Sequence, residues 1–265
     1  MRTVSLPPCR LCGGTTVEAF QATVLSKNQI GYFHCESCGS LQTESPYWLA
    51  DAYSGHNLAA ADTGAVLRTL YCQAIIYAVA RILNFNRSAT ILDFGGGNGL
   101  LCRLLRDCGF EARVSDVHAV NDFARGFDDD GGPFDIVCAF EVAEHFANPR
   151  EDMKKLFRRD TRLCVIGTVA YRGQGADWSY LARDAGQHVF FYSPKGMAML
   201  AAELGYRYLQ IGDVNLFLNR PFSRREVAML NCLLNPRRLK WVRAYLTLRA
   251  TFDFATRDAS RFTGA

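Results

Sequence analysis

An acidic residue followed by alternating glycines makes residues 90–100 the first candidate for chemistry. A short apolar run ends at Asp93, and the next six residues are Phe-Gly-Gly-Gly-Asn-Gly, with glycines at positions 95, 97 and 99. Glycine lets a backbone adopt positive φ and lets a ligand approach without meeting a Cβ. The spacing is G-x-G-x-G, whereas a pyrophosphate-binding loop has G-x-G-x-x-G. A carboxylate beside this loop would repel a pyrophosphate and suits a ligand that carries an ammonium group.

Four cysteines form a second candidate site, one that would bind a metal. They are two C-x-x-C pairs, each followed by glycine, as in zinc knuckles: Cys9 with Cys12, and Cys35 with Cys38. Four thiolates complete a tetrahedral zinc site and leave no open position for a substrate, so the zinc is expected to be structural. A redox dithiol or coincidence is the alternative, but neither accounts for the repetition of the pattern.

Carboxylates and imidazoles beyond residue 140 could manage a proton. Glu141, Glu144 and His145 have the spacing i, i+3, i+4, which predicts one side of a single helical turn. His188 precedes a second helix. In one mechanism His145 or His188 is a general base. In another, these four residues bind a divalent ion, Mg²⁺ or Mn²⁺, that lowers the pKa of an acceptor hydroxyl. A third possibility is that Glu144 and His145 only cap a helix.

Parallel strands are the elements that must position these residues. The strand at Asp93 is followed by predicted strands over Glu111–Asp116, Phe134–Glu141 and Leu163–Val169. The strand Phe134–Glu141 is nearly continuously apolar, as in a buried parallel sheet. In open α/β sheets ligands bind at the carboxyl ends of the strands. The sequence therefore predicts an α/β, Rossmann-like, doubly wound sheet with its candidate site residues at one edge.

Helices and a closing hairpin complete the predicted domain. Apolar residues recur at three- and four-residue spacing over 56–84, which predicts a helix. Ser193 to Gly205 has a serine cap, a proline in the first turn and a glycine stop, and is a second predicted helix. Tyr206–Ile211 and Val214–Asn219 are two further predicted strands.

Two more acids are candidates for contact with a ligand. Asp116 ends a predicted strand 17 residues after Gly99, near the spacing at which a carboxylate meets a ribose diol. Asp128 lies in the acidic turn 127–130, where a solvated loop is the alternative.

These segments resemble a known enzyme family. Asp93–Gly99 resembles motif I of the class I S-adenosylmethionine-dependent methyltransferases, and Glu141–Pro149 resembles their fourth motif. The resemblance covers roughly 88–220 and implies S-adenosyl-L-methionine as cofactor. The implied roles are the methionine part for the glycine loop, the ribose for Asp116 and adenine for Asp128. The implied cofactor-binding residues are Asp93, Gly95, Gly97, Asn98, Gly99, Asp116, Asp128, Phe140 and Glu141.

Narrower resemblances concern the acceptor. The E-x-x-E-H stretch with a later histidine is similar to the metal site of small-RNA 2′-O-methyltransferases and of ubiquinone-pathway O-methyltransferases. A cysteine ribbon before such a domain resembles bacterial sugar C-methyltransferases, but the sequence offers no clear counterpart of their Tyr/Glu/His catalytic set. The residues expected to carry the transfer are Glu144, His145 and His188.

Composition is that of an ordinary globular protein. The 265 residues are 49% hydrophobic and 21% charged, and the N-terminus has no signal-peptide h-region. No run of 18 apolar residues is present, so neither a transmembrane segment nor a compartment outside the cytoplasm is expected. The six cysteines outside the two pairs are expected to be small core residues.

The last 46 residues have a different charge. Residues 220–265 hold ten Arg and Lys against three Asp and Glu, so this segment, the tail, carries +7 in a chain of net charge +4. Packing on the domain or on a second subunit is the favoured use, with a membrane surface or nucleic acid as alternatives.

The predicted organisation is a zinc ribbon over 1–45, a helical cover over 46–87, a methyltransferase domain over 88–220 and a basic helical tail over 221–265. The first functional hypothesis is a methyltransferase acting on a small metabolite, such as a sugar. The second is an RNA or protein methyltransferase that holds its substrate with ribbon and tail, and the third is a non-catalytic cofactor-binding scaffold. Association through the tail into a homo-oligomer is a further prediction.

Overall fold

The structure is a computed structural model that describes residues 6–54, 63–157 and 161–263. Contacts divide the chain into two units that cross the predicted domain boundaries. The first comprises Met1–Asp62, Glu141–Lys155 and Gly167–Asn215, and the second Thr63–Phe140, Leu156–Ile166 and Leu216–Ala265. The domain boundaries predicted at residues 45, 87 and 220 stay predictions.

The first unit contains a four-stranded antiparallel sheet. Its strands are β1 (Thr16–Val24), β2 (Asn28–Cys35), β3 (Leu41–Thr43) and β8 (Phe190–Phe191), in the order β1-β2-β3-β8. Residues of β2 alternate in burial, and Ile30 and Tyr32 point into a core with Trp48 of the following segment. The ribbon strands are therefore not a separate sheet, because β3 also pairs with β8. Leu41 lies opposite Phe191, 150 residues further along the chain.

A second sheet carries the predicted α/β pattern. Among the described residues it has six strands: β4 (Thr90–Phe94), β5 (Glu111–Ser115), β6 (Ile136–Phe140), β7 (Leu163–Gly167), β9 (Arg207–Ile211) and β10 (Val214–Leu218). Their order is β5-β4-β6-β7-β10-β9, and β4 runs parallel to both neighbours, with Asp93 opposite Val114 and Cys138. The predicted fold class is confirmed.

The helices follow the predicted periodicities, with shorter bounds. They are α1 (Leu49–Ser54), α2 (Ala65–Ile82), α3 (Leu100–Asp107), α4 (Pro149–Lys154) and α5 (Pro194–Glu203). Part of the helix predicted over 56–84, residues 56–62, lies outside the described residues. Ser193 caps α5, since its Oγ accepts from the Gly196 amide.

Helix α2 has the length and composition of a membrane span, but it also packs as a core helix. Among the described helices it alone meets that test, by length and hydropathy only. Eight of its residues are buried, and it contacts α3 and two helices of the tail. Packing of this kind accounts for its apolar composition without a membrane.

The tail forms three helices that pack within the second unit, which agrees with the prediction that the tail packs on the domain. These are α6 (Arg224–Leu233), α7 (Pro236–Leu248) and α8 (Asp253–Thr263). Helices α6 and α7 contact α2, and α8 contacts α3. Ser223 and Glu226 form a capping box that starts α6.

One of the predicted core cysteines is not in the core. Cys72, Cys102, Cys138 and Cys164 are buried, and Cys108 is partly buried, but Cys232 is exposed on α6. Its Sγ lies 2.6 Å from Nη1 of Arg238. The reason is that residue 232 falls on the outer side of an amphipathic helix, which a single-residue environment does not reveal.

Candidate active site

Asp93 lies buried beneath the glycine loop at the carboxyl end of β4. Its side chain is 2% exposed, and it accepts a hydrogen bond from the backbone amide of Cys102 in α3. Oδ1 is 3.9 Å from the Cys138 thiol, while Oδ2 meets no hydrogen-bond donor among the described residues. Burial raises the pKa of Asp93 to about 7. A buried, unpartnered carboxylate oxygen is costly unless something else supplies the donor.

The loop above Asp93 needs its glycines for close approach. A Cβ on Gly96 would lie 2.2 Å from Oδ2 of Asp93, so only glycine fits over this carboxylate. Gly99 has φ +82° and starts α3, a backbone conformation that favours glycine. A Cβ on Gly97 would meet nothing within 4 Å, so the loop is open on that side.

Asp116 braces the loop as well as lying at its edge. Oδ2 accepts from the Gly97 amide at 2.9 Å, and Oδ1 accepts from the amides of His118 and Ala119 at 2.7 and 2.9 Å. These three bonds fix the carboxylate after β5. Oδ1 has both of its lone pairs in use, whereas Oδ2 can accept one further bond, so the predicted ribose role is compatible with this geometry through Oδ2.

Asp128 and Asn98 border the same loop. Both are exposed, and Asn121 connects them: its Nδ2 donates to Oδ1 of Asp128 at 3.0 Å, while the next two amides, of Asp122 and Phe123, donate to the Asn98 carbonyl. The acidic turn is therefore part of the wall around the glycine loop and more than a solvated loop.

The prediction that Glu141, Glu144 and His145 lie on one side of a single helical turn is wrong. Phe140 is the half-buried last residue of β6, and Glu141 follows with φ 54°, exposed to solvent. A 3₁₀ helix then begins at Ala143 and ends at His145. Because the chain turns through this left-handed residue before the helix starts, Glu141 and Glu144 do not share a helix face.

Glu144 is instead the buried end of a short hydrogen-bonded chain in the first unit. Its side chain is 0% exposed, and Oε1 accepts the hydroxyl of Tyr180, which also lies 3.1 Å from Oγ1 of Thr168. Oε2 has no partner among the described residues. Burial raises the pKa of Glu144 to about 6, and burial followed by the charge of Glu144 raises the pKa of Tyr180.

The two predicted catalytic histidines lie together beside this chain. Nδ1 of His188 is 2.7 Å from the Tyr180 carbonyl. A carbonyl only accepts, so Nδ1 carries the proton and Nε2 of neutral His188 has the free lone pair. Burial lowers the pKa of His188. Nδ1 of His145 lies 3.0 Å from the Tyr53 hydroxyl, and the two imidazole rings are 5.0 Å apart.

Three members of this cluster were missed by sequence reasoning: Tyr53, Thr168 and Tyr180. Tyr180 lies in a short 3₁₀ helix, Ser179–Leu181, after β7, and Tyr53 is the penultimate residue of α1. Neither has a local spacing that ties it to Glu144 or His145. The one available signal is composition, since tyrosines outside the periodic core positions are candidates for polar roles.

The four cysteines come together as predicted. One ligand atom from each lies within 4.8 Å of the others, with Sγ–Sγ distances of 3.7 Å for Cys9–Cys38 and 3.5 Å for Cys12–Cys35. Zn–S bonds of about 2.3 Å in a tetrahedron separate sulfurs by about 3.8 Å. A backbone hydrogen bond of 2.8 Å closes each knuckle turn: the Gly13 amide donates to the Cys9 carbonyl, and the Gly39 amide donates to the Cys35 carbonyl.

Arg10, inside the first knuckle, ties the cysteine cluster to the histidines. Its guanidinium donates to the Ala147 carbonyl at 2.9 Å and to the Val189 carbonyl at 2.6 Å. Ala147 follows His145 by two residues and Val189 follows His188 directly. Burial lowers the pKa of Arg10 to about 10, so the group remains charged at neutral pH. The knuckle is thus bonded to both segments that carry the histidines.

Comparison with known proteins agrees with this fold. Residues 67–211, more than half of the chain, match the family described as "Methyltransferase domain". The chain belongs to this family of methyltransferase domains. A search of the curated proteins finds no match.

Several solved structures are similar in fold at low sequence identity. Magnesium protoporphyrin IX methyltransferase from Synechocystis PCC 6803 with bound SAH is 15% identical, with 64% of this chain and 90% of that one covered and a TM-score of 0.42. The 1,6-didemethyltoxoflavin-N1-methyltransferase of Burkholderia thailandensis is 14% identical, with coverages of 76% and 97% and a TM-score of 0.45. A TehB-like methyltransferase from Corynebacterium glutamicum is 20% identical, with coverages of 66% and 98% and a TM-score of 0.34.

Proposed function

We propose that this chain is an S-adenosylmethionine-dependent methyltransferase acting on a small-molecule acceptor. The observation that carries the choice of cofactor is Asp93, whose buried Oδ2 lacks a donor among the described residues and lies under Gly96, in a loop that is open at Gly97. A ligand ammonium would supply that donor as a charge-assisted hydrogen bond. A nicotinamide dinucleotide would instead bring phosphate charge to a buried acid, which is unfavourable.

The residues around the loop divide the cofactor between them. Asp93 would hold its ammonium, Asp116 its ribose and Asp128 its adenine, with Gly95, Gly97, Asn98, Gly99 and Phe140 completing the set in the second unit. When bound, the sulfonium supplies an already activated methyl group. The protein therefore has to orient the acceptor and take up its proton. Calorimetry with S-adenosylhomocysteine tests this proposal, and absence of binding to the wild type would refute it.

His188 is our proposed general base. Its Nδ1–H is held by the Tyr180 carbonyl, which aims the unprotonated Nε2 away from that bond. Because burial lowers the pKa of His188 below the ordinary value for histidine, we expect the ring to be neutral at pH 7, and the rate should fall only in acidic solution, where the ring becomes protonated. His145, held by Tyr53, lies beside it as a second proton acceptor.

Replacing His188 with asparagine is expected to lower kcat by about 10²–10⁴-fold, because the amide keeps a donor near the Nδ1 position but has no basic nitrogen. The affinity for S-adenosylhomocysteine should not change. The assay uses labelled cofactor and an acceptor found by screening metabolites. His34→Asn is the control, since His34 lies in β2 against Tyr171 and should leave kcat unchanged. Full activity of His188→Asn would remove the base role.

The same cluster could hold a divalent ion in place of a free base. Glu144, His145 and His188 offer ligand atoms within 4.8 Å of one another, and Oε2 of Glu144 is unpartnered among the described residues. Treatment with EDTA separates the two mechanisms. Provided that metal analysis shows the zinc of the cysteine cluster to be retained, the base mechanism expects unchanged turnover. Loss of turnover that Mg²⁺ or Mn²⁺ restores would assign Glu144 and both histidines as ligands.

The tail supports a small acceptor over a nucleic acid. Several of its cations are used inside the second unit: Arg257 and Arg261 pair with Glu111, Arg220 pairs with Glu226, and Arg243 lies over the Tyr71 ring. Fewer charges are therefore left for phosphates. Acceptor KM is expected to change little between 50 and 200 mM salt, whereas a nucleic-acid acceptor would lose about 10³-fold in affinity or more. Failure to transfer label to any acceptor class would favour a scaffold.

We also propose that the four cysteines hold a structural zinc ion. Their sulfur spacing agrees with a tetrahedral site, and all four positions are filled by protein, which excludes substrate from the metal. Because Arg10 is bonded to both histidine segments, this zinc would fix the frame that carries the proposed base. Metal analysis should find one zinc per chain.

A further inference from the structure

The tail is bound to the glycine-loop helix through a buried ion pair. Asp258 of α8 is 3% exposed, and its carboxylate accepts from Nε and Nη2 of Arg106 at 2.6 and 2.7 Å. Nη2 of Arg103 lies 2.9 Å from the same carboxylate. Burial alone would raise the pKa of Asp258, but Arg106 and Arg103 lower it to about 2. The bidentate, buried geometry is that of a strong, directional contact.

Arg106 in turn covers the segment Gly126–Asp128. Its guanidinium carbon lies 3.5 Å from the centroid of the Phe127 ring, a cation–π contact shielded from solvent. The ring of Phe262 in α8 is nearly perpendicular to the Phe127 ring, with the two centroids 5.4 Å apart. A Cβ on Gly126 would be 2.5 Å from the Phe262 ring, so this ring touches the backbone there. Phe127 therefore packs against Arg106, which Asp258 of α8 binds, and against Phe262, which belongs to α8.

The enclosed segment belongs to the wall around the glycine loop. The Val114 amide donates to the Phe127 carbonyl, and the Asp129 amide donates to the Val114 carbonyl, at 3.0 and 2.9 Å. These bonds extend the β5 edge by a parallel bridge between Val114 and Asp128. Asn121 then links Asp128 to the loop around Asn98.

We propose that Asp258 and Phe262 are positioning residues for the cofactor, holding Phe127 and Asp128 in the conformation that receives adenine. The proposal rests on the proposed function, since it takes S-adenosylmethionine as the ligand. It also gives the tail a role: α8 is part of the cofactor site and is not an appendage. Neither residue touches the cofactor in this proposal, so each acts through Phe127.

The test measures affinity for S-adenosylhomocysteine by calorimetry on full-length variants. Asp258→Asn is expected to raise Kd about tenfold, because Arg106 loses its bidentate carboxylate partner. Among the described residues, only Glu111, at 3.4 Å, and the Ala112 carbonyl then hold it, which weakens its position over Phe127. Asp258→Glu, which keeps a carboxylate for Arg106, should restore much of that affinity. The matched control is Glu226→Gln, which breaks another ion pair of the tail, with Arg220, and should leave Kd within about twofold.

A second ligand separates positioning from general loss of structure. Methylthioadenosine keeps the adenine and ribose but lacks the amino-acid part, so its Kd should rise by the same factor as that of S-adenosylhomocysteine. A purely structural role predicts a lower melting temperature with unchanged Kd below it. If Asp258→Asn fails to fold, Phe262→Ala carries the test, because Phe262 is 62% exposed and its removal costs little stability.

The outcomes are distinguishable from failure of the proposed function. If the wild type binds S-adenosylhomocysteine and folded Asp258→Asn and Phe262→Ala bind it equally well, the positioning role is wrong and the cofactor assignment stands. If the wild type binds neither ligand, the proposed function itself is refuted.

Discussion

Replacing Asp93 with asparagine is expected to stabilise the cofactor-free protein at pH 8 while weakening its affinity for S-adenosylhomocysteine. Burial raises the pKa of Asp93 from 3.8 to about 7. The folded protein at pH 8 therefore carries a carboxylate whose ionisation costs more free energy than in the unfolded chain. At 1.36 kcal/mol per pKa unit, the cost is about 4 kcal/mol. Asparagine has nearly the same shape and no charge, so it relieves this cost.

The pH dependence has a definite sign. The folded-state pKa lies above the unfolded one, so protonation favours the folded state, and wild-type stability from this group rises as pH falls from about 7 towards 4. Urea unfolding should find the asparagine variant more stable by about 4 kcal/mol at pH 8 and by about 2 kcal/mol at pH 5. Glu144, with its pKa raised to about 6, changes wild type and variant alike and cancels in the difference.

The affinity should fall by about 100-fold or more, because the ammonium of the ligand would lose a buried charge-assisted partner worth about 3 kcal/mol. Asp122→Asn is the control: Asp122 lies beside the same loop, but it is exposed and paired with Arg125. Neither stability nor affinity should change there by more than a few tenths of a kcal/mol. Wild-type affinity in Asp93→Asn would mean that Asp93 only braces α3 through the Cys102 amide.

The glycine loop and its acid could be predicted from the sequence because they are close together along the chain. The chemistry of Asp93 and its glycines is contained in seven consecutive residues, and a strand ending at a tight turn places them together whatever the rest of the chain does. The same holds for the cysteines, because each C-x-x-C turn presents two sulfurs locally. Sites of this kind are encoded at short range.

The cluster of Glu144, His145 and His188 is encoded differently. Tyr53, Thr168 and Tyr180 reach Glu144 and the histidines from separate segments, and no spacing records that they meet. Periodicity also misjudged the turn after β6, because i, i+3, i+4 spacing presumes a regular helix and Glu141 adopts a left-handed conformation before the 3₁₀ helix begins. Pairing of β3 with β8 was missed for the same reason: strand pairing at long range leaves no local pattern.

Replacing Cys35 with serine is expected to release the proposed zinc and unfold the first unit locally around the histidines. Zinc binding contributes about 10–16 kcal/mol in small metal-dependent folds, comparable to the whole stability of a domain. Cys35 ends β2, and its Sγ accepts the Cys38 amide at 3.4 Å, so its loss opens the second knuckle. Metal analysis should find no zinc in the variant, while Cys232→Ser, at an exposed cysteine outside the cluster, should keep one per chain.

Hydrogen exchange can show whether the metal acts on the candidate base through Arg10. The Val189 amide donates to the Glu144 carbonyl at 2.9 Å, so its protection reports on the segments of both histidines. Protection should be lost in Cys35→Ser. In Arg10→Met, which keeps the stem but not the guanidinium, zinc should stay bound while the same amide exchanges at least tenfold faster. Unchanged exchange at Val189 in zinc-free Cys35→Ser would mean that the histidines hold their places without the knuckle, and the cysteines would then have no part in the chemistry.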